Sequence, residues 1–581
     1  MNQPFLGSPI NQKTILSHPV GLFVLFFTEM WERFSYYGMR AILVLFLISS
    51  LSNGGFEWTN AEASILYAWY TGLVYLSPLI GGYIADNYLG NRNAVVLGAL
   101  LMTIGHASMA FESEIGLYTG IAFLIAGNGF FKPNMTPIVG QMYPDGHPLK
   151  DSAYTIFYMG VNSGAFVGIL ICGWLGESEA FGWSYGFGIA GIFMFLGMLQ
   201  FYFGQKIFGD IGTKPTADDK KLSAAEKFNE VSVPFTTKDR NGLILMTALL
   251  VGTIVAWLNL EIEPIGVKFL IVIPFLLVTI YYIISRLRKY PEVERDRLTV
   301  ISVLSFFVIF FWLSFEQAGS SMTIFAEHFT QRSLNSETAI NTFRYVSLAL
   351  TFIPMLILTS ILVSLGTKII KEYPLTILFS AISFAIIWYL VVLINQGNFS
   401  DQTNEVPASW FGSLNAFFII SCAPLISWLW VWLNKRNMNP PGPIKFALGL
   451  FLLGLGFVAL VIGASPIPTG AAEGAIRVSM IWLILAYFFH TMGELFISPV
   501  GLAFVNKLSP KRLMALMFGV WHLANFVANF TGGIISSYID DIKNTSSLSG
   551  FFSIFVVIAF LAGFILILLN KPLKRMMHGV S

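Results

Sequence analysis

Residues Glu29–Arg40 read EMWERFSYYGMR. The stretch stands inside an apolar run that begins at Gly21–Phe27 and resumes at Ala41–Ile48, long enough in all for a membrane-spanning helix. At roughly 100° per residue, Glu29, Glu32, Arg33, Tyr36, Tyr37 and Arg40 fall within an arc of roughly 140° on one helix face. A charge at bilayer depth costs about 2.5–3.5 kcal/mol on insertion scales. A stripe of two carboxylates, two guanidinium groups and two phenols is therefore stable only against protein or a water-filled cavity. Other helices must supply its partners.

The rest of the chain fits that reading. Of its 581 residues, 55% are apolar and only 11% charged, and the mean hydropathy is +0.70. A soluble domain carries about 25% charged residues, so the composition predicts an all-α polytopic membrane protein. The net charge of +2 selects no partner, and no basic cluster with interleaved aromatics points to nucleic acid. Cys172 and Cys422 lie in apolar runs and read as small core residues rather than a disulfide. His106, His490 and His522 lack metal-ligand spacing, and no Ser-His-Asp or Cys-His cluster is present. Neither an enzyme nor a cofactor is indicated. Only Lys13 precedes the first apolar run, which has no cleavable-signal pattern and is expected to be retained.

About sixteen apolar segments of spanning length run from 20–48 to 550–570. With the N-terminus placed in the cytoplasm, 26 of the 34 Lys and Arg fall in inside segments and four (Arg332, Arg344, Arg477, Lys543) in outside loops. That asymmetry obeys the positive-inside rule at every turn and places both termini in the cytoplasm. The stretch 206–240 is the only long polar segment and reads as a cytoplasmic linker, with a short helix around Ala224–Asn229. It leads into a helix pair, 241–285, whose one charge at membrane depth is Lys268, at the outer edge. The pair 345–395 has no charge in its apolar runs and reads as lipid-facing scaffold. Without these pairs twelve segments remain, six on each side of the linker, the arithmetic of a two-bundle transporter with a central cavity. The expected units are 15–205, 206–297, and 298–571 with 345–395 inserted.

Partners for the stripe are few. Lys132 stands in GNGFFKPN beside the helix-opening Pro133, Tyr158 and Asn162 in FYMGVNSG, Trp312 and Glu316 in FFWLSFEQ. Asn415, Glu494 and Trp521 belong to later segments. Membrane-depth charge thus comes from both halves, with three cations against four carboxylates, so one carboxylate must be protonated or await a ligand. Arg40 reads first as a structural charge, snorkelling or paired. Lys132 reads as functional, since a mid-segment lysine is costly unless used. Glu316 is either a static partner of Arg33 or part of a site, and Asn162 and Asn415 are either interhelical bonds or ligand contacts.

At these residues the chain resembles the proton-coupled oligopeptide transporter family of the major facilitator superfamily. Its E-x-x-E-R-F-x-Y-Y pattern is complete at Glu29–Tyr37, and four more patterns follow in order: GGYIADNYLG at Gly81–Gly90, FFKPN at Phe130–Asn134, FYMGVNSG at Phe157–Gly164 and GELFISPVGL at Gly493–Leu502. The resemblance covers the twelve core segments. An extra pair after segment six is familiar from bacterial members; the pair 345–395 is not. Animal members carry a histidine where this chain has Ala68, so a histidine-based proton site is excluded and the bacterial pattern fits.

The resemblance implies a symporter of di- and tripeptides in the bacterial inner membrane, using protons and no other cofactor and working as a monomer. It assigns Glu494 to the peptide ammonium and Arg33 with Lys132 to its carboxylate. Asn162 and Asn415 would bond the peptide, and Tyr36, Tyr37, Tyr75, Tyr158, Trp312, Ser498 and Trp521 would line the site. Proton coupling is implied for Glu29, Glu32, Arg33, Lys132 and Glu316, with Arg33 exchanging between Glu32 and Glu316. A carrier of nitrate or another small solute, and a receptor that binds peptide without moving it, are the rival readings.

Overall fold

A computed structural model of the chain describes residues 4–214, 233, 236–260, 269–400, 405–510 and 513–579. The helix expected at Ala224–Asn229, most of the polar linker, and Lys268 lie outside the described residues. Each of the sixteen apolar segments coincides with helix in whole or in part. Strand is confined to two-residue pairs, Thr14–Ile15 with His18–Pro19 and Thr330–Gln331 with Val478–Ser479.

In chain order the first helices are α1 (Val20–Ile48), α2 (Asn60–Ile84), α3 (Asn91–Met109), α4 (Glu114–Gln141), α5 (Lys150–Glu177) and α6 (Trp183–Gly204). Next come α7 (Thr237–Asn259) and α8 (Ile273–Leu287). The later helices are α9 (Glu292–Phe315), α10 (Ser321–Phe329), α11 (Glu337–Ile369), α12 (Pro374–Ser400) and α13 (Ser413–Lys435). The chain closes with α14 (Gly442–Ala464), α15 (Ile481–Leu508), α16 (Met514–Ser536), α17 (Ile539–Thr545) and α18 (Leu548–Met576). Among the described residues eleven helices are long and apolar enough to cross a membrane. The protein is an all-helical integral membrane protein. α1 is long enough too, but every membrane-length window of it holds at least three of Glu29, Glu32, Arg33 and Arg40.

Local chemistry sets the ends. Pro19 precedes α1 in an extended conformation and cannot continue a helix backwards. Thr59 and Glu62 close a reciprocal capping box on α2. The segment expected as one helix over 298–324 is broken. α9 stops at Phe315, a 3-10 turn spans Glu316–Gly319, and α10 restarts at Ser321. The Gln317 amide spans the break, donating to the Leu313 carbonyl at 3.1 Å and the Gly532 carbonyl at 2.8 Å. Backbone groups freed inside a membrane must find such partners.

α1 packs along α5 and α6, α3 along α4, and α2 along α4; in the later part α14 packs along α15 and α18. The early and late helices meet through α2 against α16 and α5 against α13. Ala68 is fully buried there, its Cβ close against Gly533 of α16. A histidine at 68 would displace α16, which is a physical reason for alanine.

The face holding the N-terminal residues is knitted locally. The Ser8 hydroxyl donates to the Ile207 carbonyl at 2.8 Å, and Asn11 accepts the Gly21 N–H at 2.9 Å. His18 is buried, with one ring nitrogen 2.8 Å from the Tyr143 hydroxyl and the other 3.2 Å from that of Ser152. Burial first, then the nearby His147, pushes the His18 pKa below its ordinary value. The folded protein therefore favours the neutral ring, and the unfolded chain binds more protons below about pH 6.5. The His18 contribution to stability is complete above that pH and shrinks as the pH falls. His18→Gln should lose less thermal stability than the parent between about pH 7.5 and about pH 5. Equal losses in detergent melting curves would disprove it.

The opposite face is sealed by contacts between early and late segments. Glu177, at the end of α5, accepts the backbone N–H groups of Ala408 at 2.7 Å and Ser409 at 2.9 Å. Arg332 is the hub beside it, 2.9 Å from Glu327 and 3.2 Å from Glu405. Across the face, the Asn60 amide donates to both Glu473 and Asp540 at 2.9 Å.

Candidate functional site

The stripe on α1 meets its partners in the interior. Glu32 is wholly buried, and Glu29 and Arg33 nearly so. The Arg33 Nη2 donates to Glu32 Oε1 at 2.7 Å, while its Nε lies against Glu32 Oε2 and 3.2 Å from Glu29 Oε1 in ion-pair contact. That Nε is not aligned for a hydrogen bond to either carboxylate, so the contact is mainly Coulombic. Asn128 of α4 adds a donor to Glu32 Oε1 at 3.4 Å. Tyr36 sits under the Arg33 guanidinium, 5.3 Å from its ring centroid, and packs edge-on to Tyr37.

Lys132, on α4 beside Pro133, is held differently. Its Nζ stands 4.5 Å from the Tyr75 ring centroid. Among the described residues no carboxylate lies within ion-pair distance of it. Its charge nonetheless interacts with those of Arg33, Glu32, Glu29 and Glu316. On the late side, Glu494 of α15 accepts from the Asn415 amide of α13 at 2.9 Å, and that amide also reaches Thr491 at 3.1 Å. Among the described residues no cation lies within ion-pair distance of Glu494. Its charge interacts with Glu316. Among the described residues Lys132 and Glu494 thus both lack a counter-ion within ion-pair distance.

Arg40 is paired, as one of the two structural readings had it. Its guanidinium bonds Glu316 at the break after α9, and the Tyr67 hydroxyl. One of the two readings of Glu316 made it a static partner of Arg33. In this structure Arg33 is engaged by Glu29 and Glu32, and Glu316 belongs to Arg40. The reason is axial position: the 3-10 turn carries Glu316 level with Arg40, two turns beyond Arg33 along α1. Breaking a buried ion pair from one side leaves the other charge unpaired and costs about 3–5 kcal/mol. Glu316→Gln should therefore lower the melting temperature steeply. Adding Arg40→Gln should restore much of it. Equal destabilisation by the single and double variants would contradict the pairing.

The remaining expected residues divide. Tyr36, Tyr37, Tyr75 and Lys132 gather around the stripe, and Asn415 joins Glu494. Asn162 bonds the Tyr158 carbonyl of its own helix at 2.9 Å. Trp312 packs between Phe311 and Phe315 at 5.3 and 5.1 Å, and Trp521 is buried near Gly501. Tyr158 is half-exposed, and the Ser498 hydroxyl is buried without a protein partner. Tyr67, Tyr70, Asn128 and Thr491 were not anticipated. Tyr67, Tyr70 and Tyr75 repeat along α2 at spacings that share a face with the stripe's partners, a signal present in the sequence.

The chain matches the family model described as POT family over residues 92–382 and 367–554. It is 30% identical to the uncharacterized transporter YclF of Bacillus subtilis over 577 residues, covering 98% of this chain and 97% of that one. It is 29% identical to the peptide transporter YePEPT of Yersinia enterocolitica over 582 residues, covering 98% and 97%. A Lactococcus lactis relative, 28% identical over 580 residues and 98% of each chain, is named a di-/tripeptide transporter. Among solved structures, peptide transporter POT in complex with sulfate superposes with a TM-score of 0.69 at 30% identity, over 98% of this chain and 97% of that one. A glutamate-to-glutamine mutant of peptide transporter POT in complex with alafosfalin gives 0.70 at 30% identity over 98% of both chains.

Proposed function

The chain belongs to the POT family, and from that membership we propose that it is a proton-coupled symporter of di- and tripeptides. It is read as a carrier rather than an enzyme, placed in the bacterial inner membrane with both termini cytoplasmic, and using protons without another cofactor. It would work as a monomer. The units that rock are residues 15–205 and 298–571 apart from the inserted pair 345–395, joined by 206–297.

One observation carries the reading. When the interior charges of the described residues are paired off, Arg33 with Glu29 and Glu32 and Arg40 with Glu316, one ammonium and one carboxylate among them are left over. These are Lys132 and Glu494, on helices from opposite parts of the chain. A short peptide is the complementary object, with a carboxylate for Lys132 and an ammonium for Glu494. Its side chains vary while its ends do not, so a two-ended grip accepts many sequences. A dipeptide's termini are only about 5–7 Å apart, so longer peptides leave one buried charge unpaired, which is costly. Protonating Glu29 or Glu32 loosens their hold on Arg33 and frees it to join Lys132 at the peptide carboxylate. Losing that proton on the cytoplasmic side recaptures Arg33 and weakens the grip. Tyr36, Tyr37, Tyr75, Tyr158, Asn162, Trp312, Asn415, Ser498 and Trp521 complete the site as contacts for backbone and side chains.

The driving force is adequate. A proton moving down about 100 mV and one pH unit releases about 3.7 kcal/mol, enough for roughly 500-fold accumulation. Purified protein in liposomes should accumulate labelled dialanine when the outside is acidic, and unlabelled dialanine but not nitrate should compete. Binding without accumulation would support the receptor reading, and competition by nitrate the small-anion one.

A further inference from the structure

The hairpin α11–α12 interrupts the later half of the sequence, yet it lies against the earlier one. We infer that it is mechanically part of the N-terminal helices: it braces the back of α1 and travels with α1 and α6 while the C-terminal helices move past it. The inference rests on the alternating-access reading above.

The hairpin is first a unit in itself. The Trp388 indole donates to the Thr359 hydroxyl at 3.0 Å, the Asn395 amide to Thr351 at 2.9 Å and the Asn398 amide to Ser347 at 2.9 Å. These bonds between α11 and α12 correct the expectation of a featureless pair. Inside a membrane such bonds, with close packing, are what holds helices together.

Its inner face docks on the earlier helices at three levels. In the middle, the Phe384 ring meets those of Phe27 and Trp31 edge-on at 5.5 and 5.6 Å. Phe379 stacks on Phe203 of α6 at 5.7 Å. Nearby, a Cβ on Gly204 would come within 3.1 Å of the buried Thr376 and 3.2 Å of Val24, so a residue without one lets α1, α6 and α12 converge. At the terminus face, the Lys13 ammonium donates to the Lys368 carbonyl at 2.9 Å and lies 3.2 Å from Glu372. Lys13 is itself tied to α1, its carbonyl accepting the Val20 N–H at 3.0 Å. By contrast, among the described residues none of α13–α18 packs along either helix of the hairpin.

Phe27 and Trp31 lie on α1 roughly 180° from the centre of the charged stripe. Trp31 is fully buried, donates to Gln200 at 2.9 Å and stacks on Phe193 of α6 at 5.2 Å. The hairpin thus closes a three-helix wall behind the residues that hold Glu29, Glu32 and Arg33. A hairpin rooted in one half and packed against the other can follow only one of them when the halves rotate. The buried contacts select the N-terminal half.

The test joins the hairpin to that half. Lys13→Cys with Glu372→Cys, two surface positions, is linked by a short bifunctional thiol reagent in proteoliposomes, with each single variant as control. Dialanine accumulation should stay within about two-fold of the unlinked protein, because the linked parts already move together. Linking Asn60→Cys to Asp540→Cys across the opposite face should cut it by about 100-fold, reversibly on reduction, since that joins parts that must separate. A reversible ten-fold or greater loss from the 13–372 link would overturn the inference. Failure of the unlinked protein to accumulate dialanine would instead count against the transport reading. For that reason spin labels at the half-exposed Tyr202 and Leu378 give an arm independent of uptake. Their distance should not change between acidic buffer with dialanine and neutral buffer without it, and a changed distribution would refute the docking.

Discussion

Glu32→Gln is expected to abolish proton-driven accumulation of dialanine, at least about 100-fold, which corresponds to about 2.7 kcal/mol. Exchange of internal for external peptide should survive. Glu32 is wholly buried; its Oε1 accepts from both Arg33 and the Asn128 amide, and its Oε2 lies against the Arg33 Nε. Glutamine keeps an acceptor oxygen in nearly the same place, so the fold loses little shape. It loses the charge that holds Arg33, and it offers no site for a proton. Exchange requires the carrier to reorient loaded in both directions and moves no net proton, so it tolerates a site locked in its neutral form. Accumulation is different: the empty carrier must return without its proton, and a group that cannot ionise gives Arg33 no reason to leave the peptide carboxylate. Glu29, 3.2 Å from the same guanidinium, is the one carboxylate placed to substitute. The double variant Glu29→Gln, Glu32→Gln is therefore the decisive one. If it still concentrates dialanine against a gradient, the proton does not ride on this stripe.

Much of this was legible from EMWERFSYYGMR because cost and spacing act together there. A charge at membrane depth is too expensive to be incidental, and helical periodicity states which charges share a face. Neither argument reaches across to another helix. That is why Arg40 read as a structural charge without a named partner, and why one reading of Glu316 matched it to Arg33. The true pairing depends on the 3-10 turn at Glu316–Gly319, and the short polar stretch EQAGSS at 316–321 fits a functional patch within one long helix as well as it fits a break. The hairpin 345–395 was visible as two apolar segments, but α12 carries no charge, and its few Thr, Ser and Asn residues do not by themselves say which helix they face. Phe384 looks like any of the 54 phenylalanines until its neighbours Phe27 and Trp31 are seen. Tyr67 and Tyr70 are the opposite case. Their spacing was available, and weighing only Tyr75 on that helix left them out.

Glu494→Gln should remove the carrier's sensitivity to a free amino terminus. In the parent protein, N-acetyl-dialanine, which lacks the ammonium, should be taken up about 100-fold less well than dialanine. That ratio is the worth of a buried charge-assisted contact of about 2–5 kcal/mol. In the variant the ratio should approach unity, with dialanine uptake falling to the acetylated level and not the reverse. The direction follows from how Glu494 is held. Its neighbour, the Asn415 amide, itself tied to Thr491, orients the carboxylate without neutralising it, so among the described residues no cation competes with a peptide ammonium for it. The glutamine variant keeps that orientation, and loss of uptake cannot then be ascribed to a collapsed pocket. Melting temperature should move little, because no cation is left behind unpaired, in contrast to Glu316→Gln. The two substitutions remove the same chemical group from the same interior, and they should separate cleanly: one destabilises a protein whose charges are internally matched, the other disarms a charge kept in reserve for a ligand. A Glu494→Gln variant that still prefers dialanine to its acetylated form by about ten-fold or more would move the ammonium site elsewhere.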